Sequence, residues 1–115
     1  MKAALRTTVS AQSEELKKRT SACASNVLRL VEAMPRSQAA DVVGRQLAKS
    51  GTSVGANYRA ACNARSRTGF IAKLCIVVEE ADESVYWLER ATRARFVVAD
   101  SVKPVHQEAI ELRAI

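Results

Sequence analysis

Only two of the 115 residues are proline and only five are aromatic. That shortage argues against a β-sandwich or barrel, which draws on aromatic strand-formers and turn residues. Three cysteines, Cys23, Cys62 and Cys75, make an odd number with no CxxC pair. A disulfide framework or zinc knuckle is therefore excluded as the organising device, and a reducing cytoplasm is expected. The thiols read as small buried side chains. No run approaches the ~20 apolar residues that cross a bilayer, and Ala3-Ala4-Leu5 is cut off by Arg6 before a secretory core forms. The expectation is a soluble cytoplasmic protein without a membrane partner.

Alanine, Arg, Glu and Leu together supply 49 of the 115 residues, and they are helix-formers. At 48% hydrophobic it can bury a core of its own. From Ser13 to Ala33, Leu16, Thr20, Cys23, Val27, Leu30 and Val31 recur at helical spacing. Pro35 ends that stripe, because a residue before proline avoids the helical region. Ser37 is suited to cap a second helix running to about Ala64. Ser66-Arg67-Thr68-Gly69 reads as a turn. A third helix then extends to about Arg93, with Phe70, Leu74, Val77, Ala81 and Leu88 on one face. A short fourth, from about Ser101, carries Val102, Val105, Ala109 and Leu112 inward, with Pro104 in its first turn. Short connections make neighbours antiparallel. The expected architecture is all-α: an up-down four-helix bundle over 13–115, oligomerising, preceded by a flexible segment over 1–12.

Charge is unevenly spread. Residues 36–73 hold seven basic side chains against Asp41 alone, and their surplus equals the net charge of +6 for the whole chain. Residues 74–115 hold eight acidic side chains against five basic. Such asymmetry fits a polyanion, an acidic partner surface, or the acidic half of a neighbouring copy.

Wound at ~3.6 residues per turn, the second helix separates into three strips. Val43, Leu47, Ser50, Val54, Asn57 and Ala61 form the expected core face. Arg45, Lys49, Thr52, Ala56, Arg59 and Asn63 lie almost opposite, and Arg65, Arg67 and Lys73 continue the charge past the turn. That strip is either a phosphate-tracking surface or a solvated face, although solvated faces usually mix signs. Gly44, Ala48, Gly51, Gly55 and Cys62 form a small-residue strip for close approach of another helix, from this chain or from another subunit. SGTSVG lacks the Lys-Ser/Thr of a P-loop. Asn57 and Ser50, on the apolar side, want polar partners, and Glu80 is a candidate.

Little else invites chemistry. Glu79, Glu80, Asp82 and Glu83 are carboxylates at helical spacing, but a di-iron bundle needs Glu-x-x-His motifs and the sole histidine, His106, lies in the last helix. No catalytic triad or nucleophile elbow is present, so no enzyme activity, metal or cofactor is expected. Trp87 lies to one side of the Phe70/Leu74/Leu88 face, where it either anchors a second interface or joins the core. No recognition-helix pattern, aromatic stacking platform or RNP-like motif is present to read sequence.

Several motifs then fall in order: Gln46-Leu47; Ser50-Gly51-Thr52-Ser53-Val54-Gly55-Ala56-Asn57-Tyr58-Arg59; Ala64-Arg65-Ser66; Phe70-Ile71-Ala72-Lys73-Leu74; and Glu80-Ala81-Asp82-Glu83-Ser84-Val85-Tyr86-Trp87-Leu88. Together they resemble the small four-helix-bundle proteins encoded within intervening sequences of bacterial 23S ribosomal RNA genes. That family also includes the accessory variability protein of diversity-generating retroelements. The resemblance covers roughly residues 13–95. It implies a homopentameric, barrel-like ring and a non-enzymatic role; in the retroelement branch it further implies nucleic-acid binding and association with a reverse transcriptase. RNA or DNA contact would then fall on Arg45, Lys49, Arg59, Arg65, Arg67 and Lys73, and helix or subunit packing on Gly44, Gly51, Gly55, Asn57 and Trp87. The alternative is a self-assembling scaffold whose basic and acidic faces meet between subunits or on a protein partner.

Overall fold

Two serines and one proline set the corners of the chain. The computed structural model describes the backbone from Lys2 and the side-chain surroundings from Ala11 to Ile115. Helix α1 spans Lys2–Glu32 and ends ahead of Pro35. Ser37 then adopts an extended backbone, and its hydroxyl accepts the Ala40 amide at 3.1 Å, which starts α2, Gln38–Cys62. Ser66 repeats the device, accepting the Gly69 amide at 3.0 Å to open α3, Arg67–Arg93. Each cap satisfies one of the amides that a helix start leaves unbonded. The turn expected over Ser66–Gly69 is thus the cap and first turn of α3. Helix α4, Ala99–Arg113, begins at Val98, which supplies no side-chain cap.

One expected boundary lies outside the residues described in full, and one differs from expectation. The flexible segment expected over residues 1–12 falls mostly outside the residues described in full; the backbone described there, from Lys2, is helical. Helix α4 starts before Ser101, so Pro104 stands inside the helix rather than in its first turn, where a proline removes one i→i−4 hydrogen bond. At the α3–α4 corner Arg95 takes a left-handed backbone with φ 63°. The Arg95 amide donates to the Thr92 carbonyl at 3.1 Å and the Phe96 amide to the Ala91 carbonyl at 2.9 Å. This is the glycine-favouring helix ending known as a Schellman motif, here carrying an arginine.

The four helices pack in chain order, α1 on α2, α2 on α3 and α3 on α4, and α4 also meets α1 to close the bundle. Its interior is lined by Cys23, Val27 and Leu30 of α1, Leu47, Val54 and Tyr58 of α2, Val77, Ala81, Val85 and Leu88 of α3, and Val102, Val105, Ala109 and Leu112 of α4. The expected stripe of α4 is therefore buried throughout. On α2 the buried residues are Ala40, Gly44, Leu47, Ser50, Gly51, Val54, Tyr58 and Ala61, an almost unbroken 4-3 alternation. This face is rotated toward the glycines relative to the expected one. Val43 and Asn57 are only half-buried, while Tyr58 is inside.

The rotation follows from the missing Cβ atoms. A Cβ on Gly51 would stand 2.7 Å from a Val27 methyl, one on Gly44 3.3 Å from Val31, and one on Gly55 3.4 Å from the Thr20 backbone. All three glycines thus face α1 of the same chain, and at Gly51 α1 seats where a side chain would hold it off. Across the α2–α3 seam the Ser84 hydroxyl donates to Ser50 Oγ at 3.0 Å or, by rotation, to the Glu80 carbonyl at 2.9 Å. Ser50 in turn reaches the Leu47 carbonyl at 3.3 Å. Asn57 Nδ2 donates to the Ser53 carbonyl on its own helix at 2.9 Å. Neither Ser50 nor Asn57 uses the Glu80 carboxylate.

Two ion-pair systems and a histidine–carboxylate hydrogen bond hold α4. Arg19 of α1 grips Glu108 with Nε at 3.0 Å and with Nη2, and the same Nη2 reaches Glu111 at 3.0 Å. Arg113 donates to Asp82 of α3 at 2.8 Å, and His106 Nε2 lies 3.0 Å from Glu89. The Glu108 hydrogen bond, reinforced by both carboxylate charges, raises the Arg19 guanidinium pKa against the desolvation of its site. Burial pushes the nearby Cys23 thiol up to about 11, with the Glu108 charge adding to it and Arg19 opposing. That cysteine is an inert core residue.

Candidate nucleic-acid interface

With its interior turned to α1 and α3, α2 shows its other side to solvent. Arg45, Lys49 and Arg59 are all exposed on that side, within one fan of a straight helix and about 21 Å apart end to end at ~1.5 Å per residue. Among the described residues the ion pairs join Lys17 to Glu14, Arg19 to Glu108 and Glu111, Lys103 to Asp100, His106 to Glu89 and Arg113 to Asp82. None of them engages Arg45, Lys49, Arg59, Arg65, Arg67 or Lys73. Lys49 has an acidic neighbour in Glu80, whose carboxyl pKa is raised by burial and by Glu83 and Glu79, with Lys49 pulling it back.

Arg59 lies in the last turn of α2, where a cation also complements the helix dipole. Arg65 and Arg67 have no such structural role. They flank the N-cap of α3, whose first turn contains no acid, and cations at a helix N-terminus cost rather than add stability, by roughly 0.3–1 kcal/mol each. Lys73 follows on the exposed surface of α3.

The strip borders a groove between α1 and α2. Because Ser21 and Ala24 face Thr52, Gly55 and Ala56, the seam is shallow and open, with a volume of about 560 Å³. Arg59 and Asn63 wall one side and Lys17 the other. Lys17, which the sequence places off the strip, is thus brought beside Arg59 by the α1–α2 packing; its helical spacing within α1 carried no hint of this. Toward the opposite end of the same seam Arg36 and Arg45 share a second depression with Glu32 and Asp41. Positive charge without interleaved acid is therefore concentrated in the half of the groove nearest the α2–α3 turn.

The remaining residues singled out from sequence lie elsewhere. Trp87 is half-buried against the core; its indole N–H donates to Glu83 at 3.3 Å, and its ring meets Tyr86 edge-on at 4.9 Å. Gly44 and Gly51 sit in the α1–α2 seam, and Asn57 lies toward α3. Phe70, expected in the core stripe, is 37% exposed, and Leu74 behind it is half-buried. Among the described residues no three His, Cys, Asp or Glu side chains converge on a point that could hold a metal, and no helix is long and apolar enough to cross a membrane.

Comparison with known proteins adds a family and a fold. Residues 12–115 match the family model described as 23S rRNA-intervening sequence protein. No curated protein matches the sequence. Among solved structures, a protein of unknown function from the S23 ribosomal protein family of Bacteroides thetaiotaomicron is similar at 31% identity with a TM-score of 0.81. The match covers 89% of this chain and 91% of that one.

Proposed function

We propose, from the premise that this chain belongs to the 23S rRNA-intervening sequence protein family, that it is a non-enzymatic accessory protein that holds nucleic acid by charge rather than by sequence. The observation that carries this reading is the set of six exposed cations along α2, its turn and the start of α3, none in an ion pair, while the ion pairs of the described residues lie elsewhere. Among the six, Arg59 complements the α2 dipole and Lys49 neighbours the Glu80 carboxylate. A surface of this kind exchanges condensed counterions for protein cations and so binds phosphate backbones with little regard to base. The reading includes the homopentameric ring that the family resemblance implies, with a reverse transcriptase as protein partner where the gene lies in a retroelement.

Filter binding of RNA and DNA over a salt series tests the idea. With most of the six cations engaged, log K should fall with log salt at a slope of about −4 on single strands and about −5 on duplex. Arg45→Glu, Lys49→Glu and Arg59→Glu together should abolish binding at moderate salt. Lys103→Glu, on α4 and already paired with Asp100 at 3.4 Å, should leave it unchanged. A stable ring with no salt-sensitive affinity for either polymer would refute the reading and favour the scaffold role, in which the basic strip meets the exposed Glu79, Asp82 and Glu83 of α3 in another subunit.

A further inference from the structure

The least finished part of the bundle is its α2–α3 end. Phe70 lies on the inward side of α3, where Ser13 of α1, Ala61 and Cys62 of α2 and Ala64 of the α2–α3 turn oppose it. These side chains are too small to cover a phenyl ring. A cleft of about 360 Å³ stays open in front of it, and the ring remains 37% exposed. An aromatic ring facing an unfilled cleft is a poor core element, since the lining atoms forgo their dispersion contacts.

Around the cleft cations outnumber acids. Arg67 and Lys73 stand one helical turn before and after Phe70 on α3, at the i,i+3 spacing that makes side chains neighbours. Arg65 precedes the cap, and Lys17 lines both this cleft and the groove that leads to Arg59. Among the described residues the one acid on the lining, Glu14, is paired with Lys17 at 3.3 Å. A flat apolar platform ringed by cations, none of the three on the α3 side in an ion pair, is complementary to a flat ring tethered to phosphates.

We infer that Phe70 is a base-stacking platform at the α2–α3 end of the bundle, with Arg65, Arg67 and Lys73 holding the flanking phosphates, so that the chain prefers single-stranded nucleic acid to duplex. Duplex bases are already paired and stacked, and a ring recessed in a cleft does not reach them; an unpaired base enters and stacks. This rests on the nucleic-acid reading of the α2 strip and adds to it the class of polymer. Stacking is sequence-tolerant because every base has a π-face, in keeping with an interface that lacks base-reading motifs.

The test compares a 20-nucleotide single strand with the duplex of the same sequence, by fluorescence anisotropy at one salt concentration and then over a salt series. Wild type should bind the single strand more tightly. Phe70→Ala should weaken single-strand binding by about tenfold, with an unchanged salt slope and unchanged duplex affinity, and Phe70→Trp should restore it. A thermal melt of each variant, monitored by circular dichroism, confirms that the fold is intact. If Phe70→Ala weakens both polymers equally or neither, the platform is refuted while a preserved salt slope leaves the charge-based reading standing. If neither polymer binds but phosphatidylserine vesicles capture the protein in a Phe70-dependent manner, both proposals fall and the patch belongs to a lipid surface.

Discussion

Replacing Gly51 with alanine should destabilise the bundle, although the same change in an exposed helix would stabilise it. Alanine is better than glycine in a helix interior by ~1 kcal/mol. Against that, the new Cβ would stand 2.7 and 2.9 Å from the two Val27 methyls and 3.0 Å from Val27 Cβ. Val27 is fully buried and β-branched, and such a side chain has essentially one χ1 well in a helix. No rotation takes both methyls away, so α1 itself must move. Overpacking of this kind costs about 1–3 kcal/mol, which leaves a net loss of up to about 2 kcal/mol after the propensity gain. Gly55→Ala is the internal control: its Cβ would meet the Thr20 backbone at 3.4 Å, an ordinary contact, and it should gain up to ~1 kcal/mol. The difference between the two variants cancels propensity and reports the steric cost alone. In a Val27→Ala background the obstacle disappears, so the double variant should be more stable than the sum of the singles by about 1–3 kcal/mol. Urea unfolding followed by far-ultraviolet circular dichroism, at one protein concentration, measures wild type and the four variants through the midpoint at constant m. Equal stability of Gly51→Ala and Gly55→Ala would refute the close-approach argument.

Arg95→Gly should raise stability by about 1 kcal/mol, the steric cost of a side chain in the left-handed region. A thermal melt should show a rise in Tm of about 4 °C, and an unchanged or lower Tm would mean that the Arg95 side chain makes a compensating contact. Glu80→Gln addresses pH. Because burial, Glu83 and Glu79 raise the Glu80 carboxyl above the ordinary glutamate value, the folded state binds its proton more readily than the unfolded state. The ionised form is therefore a liability at pH 7 that fades as pH falls through the folded value. Tm measured over a pH series should show Glu80→Gln more stable than wild type at pH 7 and level with it below the ordinary glutamate value. A variant that is less stable at pH 7 would show that Lys49 needs the Glu80 charge.

What sequence reading could reach was whatever depends on neighbours within one helix. Ser37 as a cap, the stop before Pro35 and the inward stripes of α1 and α4 are all local: a hydroxyl two or three residues from a free amide, or apolar side chains a turn apart, act the same in any surroundings. The exposure of Arg45, Lys49 and Arg59 was also legible, because three cations spaced around one side of an amphipathic helix have nowhere to go but outward. Val43 and Asn57 show where this reasoning stops. A helical wheel gives angles between residues but not the direction from which another helix arrives. On α2 the glycines, having nothing to bury, drew α1 onto their own side and turned the core face with it.

The chain alone therefore determined its helices, their corners and the sign of charge that each one carries, since these follow from spacing and from backbone chemistry at the ends. Packing alone decided what meets across the bundle. It seated Val27 on Gly51 and tied Arg19 of α1 to Glu108 of α4. It brought Lys17 beside Arg59, and it left Phe70 half-open because the residues set opposite are small. Contacts between distant segments depend on volumes that only fit, or fail to fit, once the helices are side by side.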